Sequence, residues 1–262
     1  MNLSAPIHVL RSRAKLLTRE RDISLSSALN EAAKQEGFAS WSLLMRHRED
    51  LVPTRYSEIL DYVNPGDLML VAARPAIGKT TFTLGLGAQV LREEQHLFLF
   101  SLTESEQKVR SRLDDYGVGQ SRHYMVDCSD AICADYIVDR VHSEVRSGDM
   151  VVIDYLQMLD ERRVTPPLQA QVVSLKTLAQ NTGCIVVCIC QLQRAVDERH
   201  HDLPTVSDIR LPNPLNLDLF NKIVLLSAVA GREDLVHVHN TRGFEFQFNA
   251  LLNREPLRVI DV

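Results

Sequence analysis

The sequence predicts an α/β protein in which a mostly parallel central sheet is covered by helices, with a small all-α unit before it. Three observations lead to this fold class. From residue 68 onward, short apolar runs rich in β-branched residues alternate with helix-like segments, as in parallel sheets buried on both faces. A loop ending in Gly78-Lys79-Thr80 joins the first of these runs to the first helix-like segment. The residues before position 50 have helical periodicity.

Length and composition allow one α/β core and little more. The 262 residues are 45% hydrophobic, which is enough for one full core and a small appended unit. We predict a helical unit over residues 1–50, a connector over 51–66 and the α/β domain over 67–262. No membrane span or secretion signal is indicated, so we expect a cytoplasmic protein. The net charge of −5 argues against a generally basic surface, so any nucleic acid must be bound by local patches.

The N-terminal unit is predicted to contain three helices. Leu10, Ala14 and Leu17 recur at helical spacing in the first. A second fits residues 24–35, with Asp22 or Ser24 as its N-cap, and a short third helix follows. The first helix also carries five basic residues, which are Arg11, Arg13, Lys15, Arg19 and Arg21. Two interpretations stay open for them, contact with nucleic acid or the more frequent solvated charged face.

The elements of the α/β domain follow in a regular order. Predicted strands cover residues 68–72, 96–101, 150–155 and 184–190, and the helices between them cover 79–93, 104–116, 131–146 and 168–181. Three strand-like runs at 222–226, 235–239 and 244–248 then follow at short intervals. This change of spacing predicts an antiparallel set at the end of the sheet.

The loop between the first strand and the first helix has the pattern of a triphosphate-binding loop. Such a loop needs backbone N–H groups around the β-phosphate, a Lys that reaches the β- and γ-phosphates, and a hydroxyl for Mg²⁺. Gly78, Lys79 and Thr80 supply these parts in that order, although Ala73 stands where the general pattern has Gly. We predict ATP and Mg²⁺ as cofactors, with nucleotide contacts from Arg74, Pro75, Ala76, Ile77, Gly78, Lys79, Thr80 and Thr81. The alternative is an ordinary strand-loop-helix turn that contains Gly-Lys-Thr.

A second element agrees with the nucleotide interpretation. The apolar run at residues 151–153 ends in Asp154, and an Asp at the C-terminal end of a parallel strand beside the phosphate loop is where nucleotide-bound Mg²⁺ is held. We therefore predict that Thr80 and Asp154 hold the metal. The alternative for Asp154 alone is a capping residue at a strand end.

Three of the five cysteines lie close together in one predicted strand. Cys184, Cys188 and Cys190 have even spacing, which places their side chains on the same face. Burial as free thiols and metal ligation both fit this pattern. Burial is favoured because no His accompanies the cysteines at ligand spacing.

Four motifs occur in a fixed order along the chain. They are Ala72-Ala73-Arg74-Pro75 before Gly78-Lys79-Thr80, then Ile153-Asp154-Tyr155-Leu156-Gln157, then Gln191-Leu192-Gln193-Arg194, then Ser207-Asp208-Ile209-Arg210. Together they resemble the C-terminal ATPase domain of DnaB-type replicative helicases over roughly residues 53–262. The resemblance implies a RecA-like P-loop NTPase fold in a ring, commonly a hexamer. It also implies ATP between subunits, single-stranded DNA in the channel, and replication or loading proteins as partners.

The resemblance assigns roles to individual residues. Lys79 and Thr80 would hold phosphates and Mg²⁺, and Asp154 would order the metal. Gln191 would sense the γ-phosphate and relay its loss to the following loop. Arg242 falls where the family has an arginine finger that reaches the adjacent subunit's nucleotide, the alternative being a surface Arg in a hairpin turn.

For DNA contact the first candidate is Arg210. Arg162 and Arg163 are weaker candidates, since an unpaired surface Arg is the more common situation. Contacts of this kind need cations along the phosphate backbone and weaken with salt.

The main departure from the family concerns the catalytic acid. The family has Ser-Leu-Glu at the end of the second core strand, where the Glu orients the attacking water, whereas this chain reads Ser101-Leu102-Thr103-Glu104. If the strand continued through Thr103, Glu104 would point away from the water because neighbouring residues alternate faces. If the strand ended by Leu102, the loop could bring Glu104 into reach. Glu104 is therefore the candidate catalytic acid.

Other departures concern the replicative role. The unit before Asp50 is much shorter than the family's N-terminal helical collar. Asn240 replaces a Lys beside the finger, and Leu211-Pro212-Asn213-Pro214 replaces small and acidic residues of a DNA-facing loop.

The sequence favours an ATP-dependent DNA helicase or translocase. The alternative is a RecA-like ATP-binding regulatory or assembly module with weak or no hydrolysis. A recombination or clock-type ATPase fits the motifs less well.

Overall fold

The computed structural model describes residues 3–4, 7–48, 53–159, 165–198, 203–211, 213–242 and 246–262. Its helices are α1 Ile7–Arg21, α2 Leu25–Gln35, α3 Trp41–Arg48, α4 Ile59–Tyr62, α5 Lys79–Arg92, α6 Glu106–Asp115, α7 Ala134–Val141 and α8 Leu168–Thr182. Its strands are β1 Leu68–Ala73, β2 Leu97–Ser101, β3 Tyr124–Asp127, β4 Met150–Asp154, β5 Ile185–Gln191, β6 Lys222–Val229, β7 Arg232–Arg242, β8 Phe246–Arg254 and β9 Leu257–Asp261. None of these helices is both long and apolar enough to cross a membrane.

The strands form one mixed sheet in the order β3-β2-β4-β5-β1-β6-β7-β8-β9. The first six in this order are parallel, and β6 to β9 are paired antiparallel. Every residue of β1, β2 and β4 is buried, because helices cover both faces of the parallel part. Met69 and Val71 belong to one apolar core and Leu68 and Leu70 to the other. The predicted fold class is confirmed.

Most predicted elements are present with ends shifted by a few residues. The helix predicted over residues 131–146 is shorter and covers only Ala134–Val141. The sequence pattern did not predict β3, whose residues are all partly exposed at the sheet edge and so lack a clear apolar pattern. It also did not predict β9, which follows β8 after a tight turn. The run predicted at 244–248 begins outside the described residues, and β8 extends to Arg254.

The N-terminal helices form a small unit with its own apolar contacts. Leu10 and Ala14 are buried there as predicted. Ser24 is the N-cap of α2, since its hydroxyl accepts the Ser27 N–H.

Helix α1 rests on the α/β part through groups predicted to face solvent or nucleic acid. Lys15 Nζ donates to the Glu93 carbonyl at 3.4 Å, and Arg19 pairs with Glu94 at 2.8 Å. Both acceptors directly follow the C-terminal end of α5, where cations are favourable. Lys15 therefore contacts the α/β part, whereas Arg19 and Glu94 stay largely exposed, at 67% and 64%, as expected for a solvated charged face.

Candidate nucleotide-binding site

The phosphate loop, residues 73–80, joins the C-terminal end of β1 to the first turn of α5. Positive φ angles at Ala76 (67°) and Gly78 (97°) turn the chain sharply before the helix begins. Gly78 is the N-cap of α5, and a Cβ there would lie 3.2 Å from Leu252 Cδ1 in addition to the unfavourable φ. The first N–H groups of α5 have no intrahelical partners, so this end of the helix is suited to an anion.

Lys79, Thr80 and Asp154 meet at this helix end. Thr80 Oγ1 donates to Asp154 Oδ2 at 3.0 Å, and Asp154 is only 3% exposed. Burial raises the pKa of Asp154, opposed by the Thr80 hydrogen bond and by Lys79. Burial also lowers the pKa of Lys79, opposed chiefly by Asp154. A half-buried Thr80 hydroxyl and a buried Asp154 carboxylate oxygen at this distance fit Mg²⁺, which prefers oxygen ligands.

The strand-cap alternative for Asp154 finds no support in these contacts. The 3-10 turn that follows, Leu156–Met158, has Tyr155 as its N-cap and no side-chain cap hydrogen bond. The Asp154 carboxylate instead accepts from Thr80, 74 positions earlier.

Glu104 lies close to this site because β2 ends at Ser101. Ser101 pairs with Asp154 in the sheet, and its hydroxyl accepts the N–H groups of Thr103 and Glu104 at 3.3 and 3.0 Å. The chain therefore turns immediately after the strand, which is the condition under which Glu104 was expected to come within reach. Its charge contributes to the pKa values of both Lys79 and Asp154.

Two cations hold one oxygen of Glu104 and leave the other available. Glu104 Oε1 pairs with Arg112 at 2.8 Å and with Lys108 at 3.3 Å. The side chain is 10% exposed, and its buried Oε2 has no hydrogen-bond partner among the described residues. An unpaired buried carboxylate oxygen beside a phosphate loop is suited to accept a hydrogen bond from water.

Gln191 is the last residue of β5 and lies opposite Ala73, where the phosphate loop begins. Its carbonyl accepts the Arg210 N–H at 2.8 Å. The next residue, Leu192, forms an isolated bridge with Ile209. The third and fourth sequence motifs are thus directly hydrogen-bonded.

Arg210 is exposed, and its side chain has no ion-pair partner among the residues that the structure describes. This geometry leaves its guanidinium available to a polyanion. Arg162, Arg163, Pro212 and Gly243 lie outside the described residues.

Arg242 lies far from the phosphate loop of its own chain. It ends β7 and pairs with Ile223, near the sheet edge where the parallel strands begin, whereas the loop is at the edge where they end. Its Nη2 donates to Asp218 Oδ1 at 2.7 Å. Asn240, at the family's Lys position, is 3% exposed and donates to the Tyr62 hydroxyl at 2.8 Å.

The three clustered cysteines are buried in the same apolar core. Burial raises the pKa of Cys188 and raises that of Cys190 to about 12. Among the described residues there is no group of three or more His, Cys, Asp or Glu side chains that could hold a metal ion.

Two residues at the site were not singled out from the sequence. Gln157, quoted only as part of a motif, donates to groups of both later motifs. Its position three residues after Asp154, the predicted metal ligand, was the available signal. Arg112 pairs with Glu104 across the start of α6, and nothing in the sequence distinguishes it from neighbouring basic residues of that helix.

The phosphate loop after a central parallel strand, together with an acid at the end of a nearby strand, defines a P-loop NTPase of RecA-like fold. A sequence profile of the DnaB-like helicase C-terminal domain matches residues 53–117 and 117–218, more than half of the chain. The chain belongs to this family.

Curated relatives agree with this assignment. The replicative DNA helicase DnaB of Leifsonia xyli is 29% identical over 248 residues, covering 80% of this chain and 53% of the relative. DnaB of Geobacillus stearothermophilus is 28% identical over 205 residues, with coverage of 64% and 45%. The chain therefore spans about half the length of these relatives.

Solved structures show the same fold at low identity. A DnaB-like replicative helicase, described with its interactions with primase, aligns with a TM-score of 0.68 at 18% identity over 96% of this chain and 75% of its own. A second solved structure, of an ATPase domain, aligns with a TM-score of 0.66 at 19% identity over 80% of this chain and 91% of its own.

Proposed function

We propose that this chain is an ATP-dependent DNA helicase or translocase of the DnaB type. The observation that carries the proposal is the convergence of Lys79, Thr80 and Asp154 at the end of β4. The neighbouring strand β5 ends at Gln191, whose carbonyl accepts the N–H of Arg210. We also propose the division into a helical unit over 1–50, a connector over 51–66 and an ATPase domain over 67–262.

In this proposal the phosphate loop binds the triphosphate of ATP. Backbone N–H groups of residues 74–81 other than Pro75, which has none, would surround the phosphates. The Lys79 ammonium would contact the β- and γ-phosphates. Thr80 and Asp154 hold Mg²⁺, which when bound neutralises charge on the phosphate oxygens. Burial lowers the pKa of Lys79. The negative charge of a bound polyphosphate would stabilise the ammonium form of this side chain.

Glu104 is the proposed water-positioning acid in place of the family's Glu. Arg112 and Lys108 fix its Oε1, so Oε2 can accept a hydrogen bond from the attacking water. We propose that Gln191, whose backbone pairs with Ala73 at the start of the phosphate loop, responds to the γ-phosphate.

The proposed arginine finger requires a second copy of the chain. Arg242 contacts Asp218 and lies away from its own phosphate loop, so a role at a nucleotide would need a neighbouring subunit. With the family resemblance, which implies six subunits, we propose a homo-oligomeric ring. Single-stranded DNA would contact Arg210 in the channel, and replication or loading proteins would be further partners.

A second candidate function is an ATP-binding regulatory or assembly module with weak hydrolysis. Two observations favour it. Thr103 stands where the family has its catalytic Glu, and Glu104 is already paired with Lys108 and Arg112. Under this alternative, nucleotide binding is retained and turnover is slow.

Gel filtration and DNA binding separate the two functions. The helicase proposal predicts a ring in Mg·ATP and binding of a labelled oligo-dT strand that weakens with salt. Arg210→Gln should lower the slope of log affinity against log salt by about 1. Arg254→Gln, at the exposed end of β8, should leave the slope unchanged. A monomer in Mg·ATP that binds no oligo-dT would contradict the helicase proposal and leave the regulatory module as the better account.

A further inference from the structure

Gln157 connects three parts of the site through a single buried amide. It belongs to the 3-10 turn that follows Asp154, and the residue is 6% exposed. Its Nε2 lies 3.0 Å from Cys190 Sγ, 3.3 Å from the Gln191 carbonyl oxygen and 2.9 Å from the Arg210 carbonyl oxygen. Because both carbonyls can only accept, the NH₂ of the amide must face them. We call these contacts the Gln157 clasp.

The clasp has more acceptors than donors. An amide NH₂ carries two hydrogens, while three acceptors lie within reach of it. If the Arg210 carbonyl moves away, both N–H groups can still be used by Gln191 and Cys190. The Arg210 segment can therefore shift without leaving a buried amide donor unsatisfied, a loss that would be costly.

A second set of hydrogen bonds involves Leu192 and Gln193, the two residues that directly follow β5. Arg74 Nη1 donates to the Leu192 carbonyl at 3.1 Å, and the Leu192 N–H donates to the Ala73 carbonyl at 3.1 Å. The Gln193 N–H donates to the Asp208 carbonyl at 2.8 Å. The end of β5 is thus bonded to the phosphate loop on one side and to residues 208–210 on the other.

We propose that Gln157 is a positioning residue that couples nucleotide binding at Asp154 to the placement of the Arg210 segment. Only Tyr155 and the fully buried Leu156 separate it from Asp154, so an adjustment of the strand end moves the amide. The amide in turn determines where the Arg210 carbonyl, and with it the exposed guanidinium, is held. This inference rests on the proposed function because it needs a nucleotide at the phosphate loop.

The test compares two buried glutamines. Gln157→Met removes the amide at similar size. The matched control is Gln171→Met, because Gln171 is 1% exposed and its Nε2 also donates to two carbonyls, those of Leu159 and Pro166, at 2.9 and 2.8 Å. Both variants lose buried hydrogen bonds, but only the first lies between Asp154 and Arg210.

Three quantities are measured for each protein. They are the affinity for a non-hydrolysable ATP analogue with Mg²⁺, the affinity for oligo-dT with and without that analogue, and amide hydrogen exchange over residues 207–210 with and without it. Typical coupling between two sites changes affinity by about 5- to 150-fold. We expect Gln157→Met to bind the analogue with an affinity within about threefold of wild type. The ratio of its oligo-dT affinities with and without the analogue should fall about tenfold, towards one. Gln171→Met should keep the wild-type ratio.

The exchange measurement keeps the test decisive if the variant does not fold or if oligo-dT does not bind. In the wild type, the analogue must change the protection of the Arg210 amide, which donates to Gln191. Unchanged protection overturns the coupling while leaving nucleotide binding intact. An equal loss of coupling in both variants also overturns it, since Gln157 would then be merely structural. A wild-type chain that binds no analogue overturns both this inference and the proposed function.

Discussion

Asp154 and Glu104 are two carboxylates at the ends of neighbouring strands, and their surroundings differ. Asp154 ends β4, is 3% exposed and accepts from the Thr80 hydroxyl. Glu104 comes three residues after the end of β2 and is paired with Arg112 and Lys108. One carboxylate is held by the sheet beside a hydroxyl, and the other is held by a loop and two cations.

In our proposal this difference assigns nucleotide and metal binding to Asp154 and hydrolysis to Glu104. Burial raises the pKa of Asp154 because it destabilises the anionic carboxylate. A metal cation bound there would stabilise that anionic form. The charge of Glu104 is already balanced, and its free Oε2 is better suited to orient water. The binding half of the site keeps the family's sequence pattern, whereas the acid that we propose for hydrolysis, Glu104, stands one residue later than the family's Glu.

The largest effect on ATP turnover is expected for a substitution of Glu104. Glu104→Gln keeps the size but removes the acceptor charge, so ATP turnover should fall by about 10²- to 10³-fold. Mg·ATP affinity should change by less than about threefold, because positioning rather than binding is lost. Steady-state phosphate release and calorimetry measure the two quantities.

The matched control is Glu106→Gln, since Glu106 is exposed and pairs only with Arg110 among its described contacts. It should leave turnover unchanged. Equal turnover for Glu104→Gln and wild type would show that another group positions the water. Thr103→Glu, which restores the family's residue, should raise turnover.

A smaller effect is expected at the cation that orients Glu104. Arg112→Met removes the 2.8 Å contact to Oε1, so the carboxylate loses its fixed orientation and turnover should fall about tenfold. Arg110→Met is the control, because Arg110 lies on the same helix but pairs with Glu106. A rise in turnover for Arg112→Met would instead mean that the pair restrains Glu104 in an inactive position.

The smallest effect concerns Asp154 and the stability of the nucleotide-free protein. Its folded-state pKa is raised by burial, so the stability contributed by this group is present below the unfolded pKa and is lost as pH rises through the folded pKa. Asp154→Asn should therefore raise the melting temperature at neutral pH, by about 2–4 °C for each kcal/mol gained.

The same substitution should remove the dependence on Mg²⁺ of nucleotide binding. Thermal melts at several pH values, with and without Mg·ATP, test both effects. A lower melting temperature for nucleotide-free Asp154→Asn at neutral pH would contradict the assignment of a destabilising buried charge.

Local patterns predicted the binding half of the site and not its connections. Lys79, Thr80 and Asp154 follow from short motifs at strand ends, because parallel strands bring those ends to one edge of the sheet. The Gln157 clasp joins residues 53 positions apart, and the Arg112 contact depends on where the chain turns after Ser101. Such contacts are set by tertiary packing. The sequence did not predict the edge strands β3 and β9, because almost all of their residues are partly exposed and no clear alternation of buried and exposed positions marks them.

Calorimetric titration of Mg·ATP into wild type and Lys79→Ala is the direct test of triphosphate binding at residues 73–80. We expect saturable binding to the wild-type chain and an affinity at least about tenfold weaker in Lys79→Ala, the loss expected for charge-assisted hydrogen bonds. Absence of binding to the folded wild-type protein, or identical isotherms for the two proteins, would contradict it.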